Sequence, residues 1–333
     1  MMIRVGINGF GRIGRLALRI CQLPEYKDKI KVVAINSRAT IESHALLFQH
    51  DSTYGKFHGT VAVEHDYLVV NSEKITVFCE DDPANIPWNS VGVDIVLECT
   101  GKFVKKEQAS LHLGNDVKKV IISSPCKGCG TYVMGVNHEK WLDEKEDVLS
   151  CASCTTNCLA PVAAVLEKEF GIEKGFMTTV HAITNDQNII DNSHKKDLRR
   201  ARTASVNIIP TTTGAAEAVG KVIPSLLGKL TGIAMRVPVP TVSVVDLVCT
   251  LRRNVTAEEV NEKFVAHANQ YLGVTIKPLV SSDFIGNHHS AIVDLLSTDV
   301  IGDNMVKVIA WYDNEYGYAC RLVDLAVFVG ENL

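Results

Sequence analysis

The run Ile3-Arg4-Val5-Gly6-Ile7-Asn8 leads at once into Gly9-Phe10-Gly11-Arg12-Ile13-Gly14 and a helical pattern over 15–21, and it limits the fold more than any other stretch. Gly-x-Gly-x-x-Gly alone is a weak signal, because glycines also mark plain turns. Here it lies between a strand and a helix, and a second apolar strand follows at 30–36, completing a βαβ unit of about 30 residues. The glycines permit the tight turn and the close backbone approach to a pyrophosphate, which then sits on the helix N-terminus. The segment predicts a Rossmann-type doubly wound parallel sheet, α/β in class, that takes a dinucleotide.

Further strands are expected at 67–70, 75–79, 94–98 and 117–123. Ligands of such sheets lie at the carboxyl ends of the strands, which makes Thr100 and Ser123 cofactor-side candidates. The second strand ends in Asn36-Ser37-Arg38, with no carboxylate where one would accept from the adenosine ribose hydroxyls and repel a 2′-phosphate. A neutral hydroxyl beside an arginine suits a 2′-phosphate. Equally, Arg38 reads as a solvated loop charge in a site that takes NAD.

Ser150-Cys151-Ala152-Ser153-Cys154-Thr155-Thr156-Asn157-Cys158 lies near the middle of the chain, between Val148-Leu149 and an apolar helical pattern over 159–170. A cysteine at a helix N-terminus feels the positive end of the macrodipole and the unpaired N–H groups, so its thiolate is favoured as a nucleophile. Cys154 is best placed, and its bland reading is a small buried hydrophobe. A strand over 175–182 brings His181 to its end, and a Cys–His pair distant in sequence and close in space is a known arrangement. The polar stretch 184–205 carries Lys195, Lys196, Arg199, Arg200 and Arg202. It reads as a solvated face or, from its length, as a functional or interface loop. Hydroxyls with glycine in 207–214 and a lone Arg236 suit phosphate oxygens. Strands over 242–252, 291–296 and 306–311 predict a second α+β domain with a largely antiparallel sheet and helices on one face. A last amphipathic helix covers 320–329.

At 333 residues two domains are the prior, and 46% hydrophobic with 22% charged residues is ordinary for a soluble globular chain. A net charge of −4 argues against nucleic-acid or anionic-membrane partners, and no apolar run is long enough for a membrane helix. The N-terminus enters a strand directly, which leaves no signal peptide and points to the cytoplasm. The ten cysteines are expected to be reduced thiols. Cys126-Lys-Gly-Cys129 has no second pair at a zinc-like interval, so no metal is expected and a loop with two thiols is the reading. Cys151 and Cys158 lie near enough to Cys154 in sequence for its oxidation to be conceivable.

The chain resembles the phosphorylating glyceraldehyde-3-phosphate dehydrogenases over essentially its full length. The matching segments are INGFGRIGR (7–15), ECTGKF (98–103), MGVNHEKW (134–141), ASCTTNCLAP (152–161), TTVHAITNDQ (178–187), NIIPTTTGAA (207–216), LTGIAMRVP (230–238), SVVDL (243–247) and WYDNEYGY (311–318). The resemblance implies a dinucleotide-binding domain over 1–152, with the C-terminal helix of 319–333 packing back on it. It further implies a catalytic domain over 153–318 and an inter-subunit loop at 184–205 in a homotetramer. It implies Cys154 as nucleophile and His181 as base, acting through a thiohemiacetal and a thioester that inorganic phosphate cleaves. The family's inorganic-phosphate site maps to Ser153, Thr155, Thr213 and Gly214. Its site for the phosphate of glyceraldehyde 3-phosphate maps to Thr184 and Arg236, with Asp186 and either Arg199 or Arg202 nearby. Gly9, Gly11, Arg12, Ile13, Gly14, Thr100, Ser123, Asn314 and Tyr318 fall on cofactor positions.

Two departures bear on the cofactor. NAD-type members carry aspartate where this chain has Ser37, and many bacterial ones carry Leu-Pro where it reads Asn192-Ser193. Both changes imply that NADP is accepted along with NAD. The 126–129 loop is shorter than usual for the family. The nearest rival is erythrose-4-phosphate dehydrogenase, against which Thr184, Arg236 and the 207–216 run argue. A non-catalytic protein of the same fold would be expected to have lost Cys154 or His181, and both are present.

Overall fold

A computed structural model describes residues 2–114, 116–195 and 197–333, so Lys196 of the basic stretch lies outside the described residues. Two compact units emerge. The first runs from the N-terminus to Met134, resumes over His138–Ala152 and is completed by Ala319–Leu333. The second comprises Gly135–Asn137 and Ser153–Tyr318.

The first unit is built on β1 (Ile3–Asn8), α1 (Arg12–Cys21), β2 (Ile30–Asn36), α2 (Ile41–Gln49), β3 (Val61–Glu64), β4 (Tyr67–Val70), β5 (Glu73–Phe78), β6 (Ile95–Glu98), β7 (Lys119–Ile122), β8 (Gly130–Thr131) and β9 (Val148–Ser150). Among the described residues these strands form one sheet in the order β8-β9-β7-β6-β1-β2-β5-β4-β3. All pairs from β8 to β5 are parallel, and the β5-β4-β3 edge is antiparallel. The central strands are buried on both faces, as IRVGIN and IVLE show, which suits a sheet covered on two sides. Strand order reverses at β1, and the Gly9–Gly14 loop leaves β1 at its carboxyl end, where a dinucleotide sits in such sheets. The expected Rossmann-type unit is present. The edge strand β3 is not expected from the sequence: its Val61, Ala62 and Val63 are apolar, yet three of its four residues are exposed, so no buried face marks it.

The second unit holds α3 (Cys154–Glu169), β10 (Ile172–His181), β11 (Ile209–Thr212), α4 (Ala215–Val222), β12 (Leu230–Arg236), β13 (Ser243–Leu251), α5 (Ala257–His267), β14 (Leu272–Thr275), β15 (Ala291–Asp294) and β16 (Met305–Tyr312). The sheet order is β11-β12-β10-β13-β16-β15-β14. It is largely antiparallel, but β10 pairs with β12 in parallel, since the long connection through β11 and α4 returns the chain in the same sense. Strand β13 alternates buried and half-buried residues along its length, the period of a sheet with one covered face. Helix α3 is buried along most of its length and packs against β13, β15 and β16. A last helix, α6 (Tyr316–Glu331), begins in the second unit and ends in the first. No helix among the described residues is long and apolar enough to cross a membrane.

One expectation is overturned. Cys126 and Cys129 are joined by a disulfide, not present as two thiols. Gly128, at φ 88, supplies a left-handed turn that an L side chain would resist, and it brings the cysteine Cα atoms to 5.6 Å, within bonding range. The other eight cysteines form no disulfide.

Candidate active site

Helix α3 opens on its first residue, Cys154, with Ser153 as N-cap: the Ser153 hydroxyl accepts from Thr156 N–H at 3.1 Å. Just upstream, Ala152 stands at φ 59, a left-handed conformation that costs a non-glycine residue about 1–2 kcal/mol. Strained backbone of this kind gathers at functional sites. The helix thus begins at Cys154, as expected, five residues ahead of the apolar pattern that starts at 159, because the hydroxyl-rich first turn carries no apolar periodicity.

Cys154 Sγ lies 3.5 Å from His181 Nε2, at the end of β10. Burial pushes the Cys154 thiol up, and it outweighs the downward pull of Arg236, of Thr155 and of the helix N–H groups. The expectation that the helix terminus alone favours the thiolate is therefore corrected: desolvation of the charged form is the larger effect here. His181 is pushed down to about 3, first by burial and then by the Arg236 guanidinium; Ala182 carbonyl and Asp186 oppose the shift only partly. The resting pair is thus a thiol beside a neutral imidazole.

Around this pair stands a cluster made for an anion. Arg236 Nη1 donates to Thr184 Oγ1 at 3.1 Å and to Ala182 carbonyl at 3.2 Å, and it contacts His181 Nδ1 at 2.9 Å. The Thr184 hydroxyl donates to Asp186, whose other oxygen pairs with Arg200. Arg200 also donates from Nε to Thr211 Oγ1 at 2.9 Å. The arginine of the 199–202 cluster that pairs with Asp186 is therefore Arg200. Arg199 is exposed, and Arg202 is exposed with its Nε 3.0 Å from Asp191. Three arginines within four positions look alike in sequence, and only the fold of the loop separates them. Arg236 Nε is buried with no partner, an orphaned donor of the kind an oxyanion satisfies.

Thr155 is buried, and its hydroxyl bonds to Tyr312 at 2.9 Å. Thr213 and Gly214 precede α4, where Thr213 Oγ1 accepts from Ala215 N–H at 3.2 Å, and Gly214 faces open space at a helix N-terminus. Asn314 is buried, its Oδ1 accepting from Ser243 at 2.8 Å. Ser243 in turn accepts from the Ala182 N–H at 3.0 Å, which ties the residue after His181 to Asn314. Tyr318 is buried. Neither Ser243 nor Tyr312 stood out in the sequence, because each reads as one more position of an alternating strand.

In the first unit, α1 starts after Gly11 with no side-chain cap on its N-terminus. A Cβ on Gly9 (φ 94) would meet Thr100 N at 2.7 Å, and one on Gly14 would meet Gly9 carbonyl at 2.3 Å, so these two glycines allow the loop, the helix and Thr100 to approach. A Cβ on Gly11 would meet nothing within 4 Å, leaving a cradle open to a pyrophosphate. Ile13 follows in the first turn, and Arg12 turns aside to pair with Asp51. Beneath the loop lies a buried polar chain. Glu98 accepts from Thr100 N–H at 2.7 Å and from Asn8 Nδ2 at 2.6 Å, and Asn36 donates to Asn8 Oδ1 at 2.8 Å. Ser123 N–H donates to Glu98 carbonyl at 3.0 Å. Glu98, Asn8 and Asn36 are signalled in sequence only as polar ends of apolar strands. This arrangement fits a dinucleotide.

Ser37 is half-buried and Arg38 is exposed, in an ion pair with Asp81. Ser193 is exposed in the 184–205 stretch, whose backbone Asn188 and Asp191 hold together. That stretch and its flank leave Ile189 (81%), Leu198 (83%) and Ile208 (70%) open to solvent. No group of residues suited to a metal ion occurs among the described residues.

Residues 3–106 match the family profile "Glyceraldehyde 3-phosphate dehydrogenase, NAD binding domain", and residues 153–314 match "Glyceraldehyde 3-phosphate dehydrogenase, C-terminal domain". The chain is 52% identical to glyceraldehyde-3-phosphate dehydrogenase 2 of Bacillus subtilis (strain 168), over 98% of this chain and 96% of the relative. It is 52% identical to the glyceraldehyde-3-phosphate dehydrogenase of Geobacillus stearothermophilus, over 99% and 98%. With that of Zymomonas mobilis subsp. mobilis (strain ATCC 31821 / ZM4 / CP4) it shares 50% identity over the whole of both chains.

Proposed function

Because the chain belongs to the glyceraldehyde-3-phosphate dehydrogenase family, we propose that it oxidises glyceraldehyde 3-phosphate to 1,3-bisphosphoglycerate, with inorganic phosphate as the acyl acceptor. The observation that carries the reading is the Cys154–His181 pair at 3.5 Å, set beside Arg236.

The substrate's phosphate is held by Arg236, Thr184 and Arg200, with Asp186 orienting the last two. Binding there brings the aldehyde carbon to Cys154, which attacks as its thiol proton passes to His181. The tetrahedral oxyanion is stabilised by the N–H of Cys154 at the helix terminus and by the imidazolium, which returns its proton to the oxyanion to give the hydroxyl of the thiohemiacetal. His181 takes the hydroxyl proton as the thiohemiacetal is oxidised to a thioester. The nicotinamide dinucleotide, when bound, supplies the hydride acceptor. The first unit holds it through Gly9, Gly11, Ile13, Gly14, Thr100 and Ser123. Asn314 contributes too: with its Oδ1 committed to Ser243, it presents Nδ2 as a donor for a carboxamide oxygen. Inorganic phosphate, received by Ser153, Thr213 and Gly214, then cleaves the thioester, and His181 returns the proton to the departing thiolate.

The cofactor reading is that both NAD and NADP are accepted. Ser37 lacks the carboxylate that would repel a 2′-phosphate. The Arg38–Asp81 pair is exposed on both sides, worth about 0–1 kcal/mol, and a doubly charged phosphate competes with it easily. The exposed apolar side chains of the 184–208 region support a homotetramer in which Ser193 belongs to an interface. The reaction belongs to the cytoplasm.

Initial rates with glyceraldehyde 3-phosphate, phosphate omitted or added, and NAD or NADP in parallel, test the reading. Phosphate-dependent turnover with both cofactors is expected. Turnover indifferent to phosphate would remove the phosphorylating assignment, and turnover with NAD alone would remove the reading of Ser37 and Arg38.

A further inference from the structure

Cys126-Lys127-Gly128-Cys129 takes no part in the chemistry above, yet its two sulfurs are joined. Spacing alone does not explain the bond, since Cys151 and Cys154 have the same spacing and form no disulfide. The turn explains it. Gly128 stands at φ 88, and the backbone between the cysteines is stitched to a neighbouring segment. Lys127 N–H donates to the Val104 carbonyl at 3.0 Å, and Lys106 N–H donates to the Lys127 carbonyl at 3.0 Å. Just past the pair, Gly130 N–H donates to Glu146 at 2.7 Å. None of these hydrogen bonds involves a sulfur. They hold the turn whether the sulfurs are joined or apart, so two thiols released there stay within reach of each other.

The two sulfurs differ in access. Cys126 is 8% exposed and belongs to a core cluster with Val96, Val120 and Ile122, whereas Cys129 is half-buried and packs against that cluster. Lys127, between the two, and Lys105, bridged to it through the backbone, are exposed. Positive charge near a sulfur favours its thiolate, the form in which a sulfur attacks or leaves a disulfide.

We propose that Cys126 and Cys129 form a thiol–disulfide exchange site, opened in the folded protein by a dithiol that attacks at Cys129. Atoms and electrons balance. A thiolate of the dithiol bonds to Cys129 Sγ, the Cys126–Cys129 bond breaks, and Cys126 leaves as a thiolate that takes a proton from water. The second thiol of the dithiol gives up its proton to water and attacks its own partner sulfur in the mixed disulfide. Cys129 then leaves as a thiolate and is protonated in turn, and the co-reactant departs as a disulfide. Two electrons and two protons have passed to the chain. The new Cys126 thiol has an acceptor in place, the Lys127 carbonyl oxygen at 3.6 Å from Sγ. With a disulfide as co-reactant the steps run backwards, and closure is intramolecular because the turn keeps the thiols together. This exchange is a second redox function, distinct from the hydride transfer served by Cys154.

The test treats the folded full chain with dithiothreitol, quenches with iodoacetamide and reads the peptide bearing both cysteines by mass spectrometry, with circular dichroism in parallel. Neither cysteine is expected to be labelled before reduction and both after it, with the circular dichroism unchanged. Oxidised glutathione, added after the dithiothreitol is removed, is expected to close the pair again. Cys126→Ser and Cys129→Ser each leave one thiol of the pair for oxidised glutathione to modify. Cys129 in the first variant should react about tenfold faster, or more, than Cys126 in the second, following their access. Labelling before reduction, reduction only once the chain is unfolded in urea, or Cys126 reacting as fast as Cys129 would each overturn the inference. The reading of Cys154 and His181 would stand in all three cases.

Discussion

Tyr312 is fully buried, and its hydroxyl joins Thr155 Oγ1 at 2.9 Å to Thr179 Oγ1 at 2.8 Å. Burial pushes its pKa well above the ordinary phenol value, so it stays a neutral donor and acceptor across the working range. Tyr312→Phe removes one oxygen and leaves two buried threonine hydroxyls each short of a partner. An unsatisfied buried hydroxyl costs about 1–3 kcal/mol. The removed phenol no longer needs desolvating, which offsets part of this, so the net loss is expected near ~3 kcal/mol. Urea unfolding followed by circular dichroism measures it, with Thr179→Val and the double variant completing a cycle. The double variant should be less destabilised than the sum of the singles by about 1 kcal/mol, because the second substitution removes a group the first had orphaned. The same change loosens Thr155, next to Cys154, so KM for phosphate should rise more than KM for the aldehyde. A Tyr312→Phe protein within about 0.5 kcal/mol of its parent would mean that the hydroxyls find other partners. The network would then carry no weight.

Gly14→Ala places a Cβ 2.3 Å from Gly9 carbonyl, so helix and loop must part; calorimetry should show at least a tenfold loss of dinucleotide affinity, about 1.4 kcal/mol. Gly11→Ala meets no protein atom and should unfold normally yet still bind the dinucleotide more weakly, since its Cβ enters the space read as the pyrophosphate cradle. Ser37→Asp should lower the efficiency with NADP about tenfold or more by repulsion while NAD turnover persists; equal NADP efficiency in both proteins would refute the ribose argument. Alkylation of the unfolded chain without reductant should modify eight cysteines, and ten after dithiothreitol; ten without reductant would contradict the Cys126–Cys129 bond. Asp191 and Asp197 are held low, chiefly by Thr203 N–H and by the Thr211 hydroxyl. Because their folded values are depressed, they stabilise the 184–205 loop above the ordinary aspartate range and lose that contribution as pH falls through it. Limited proteolysis of the loop should quicken on acidification to about pH 3, and a rate independent of pH would refute the assignment.

The first unit was legible because its apolar strands and the Gly9–Gly14 loop use short-range rules: buried runs of β-branched residues and glycines where backbone must pass close. Cys154 and His181 were legible too, one in a hydroxyl-rich helix start and the other at a strand end. What stayed hidden depended on non-local geometry. Arg200 could not be told from Arg199 and Arg202 without the path of its loop. Burial reversed the expected acidity of Cys154, since desolvation depends on everything packed around the sulfur. Glu98 and Asn36 sit at strand ends that adjoin only once the sheet is ordered, and Gly128 reads as a plain turn until its φ is known.

The first unit is assembled from segments far apart in the chain, and this bears on how the protein is made. Val323, Leu325 and Val329 are fully buried, and Tyr26 donates to Asp324 at 2.7 Å. A side chain on Gly330 would collide with Ile3. During synthesis the contacts of Ile3 and Tyr26 with this last helix therefore wait until the 166 residues of 153–318 have been added. The second unit, almost continuous from Ser153 to Tyr318, can close before that wait is over. Deleting 319–333 would take Val323, Leu325 and Val329 out of the core of the first unit while the half bearing Cys154 and His181 keeps its own contacts, so a nascent chain stalled short of that point is a client for chaperones.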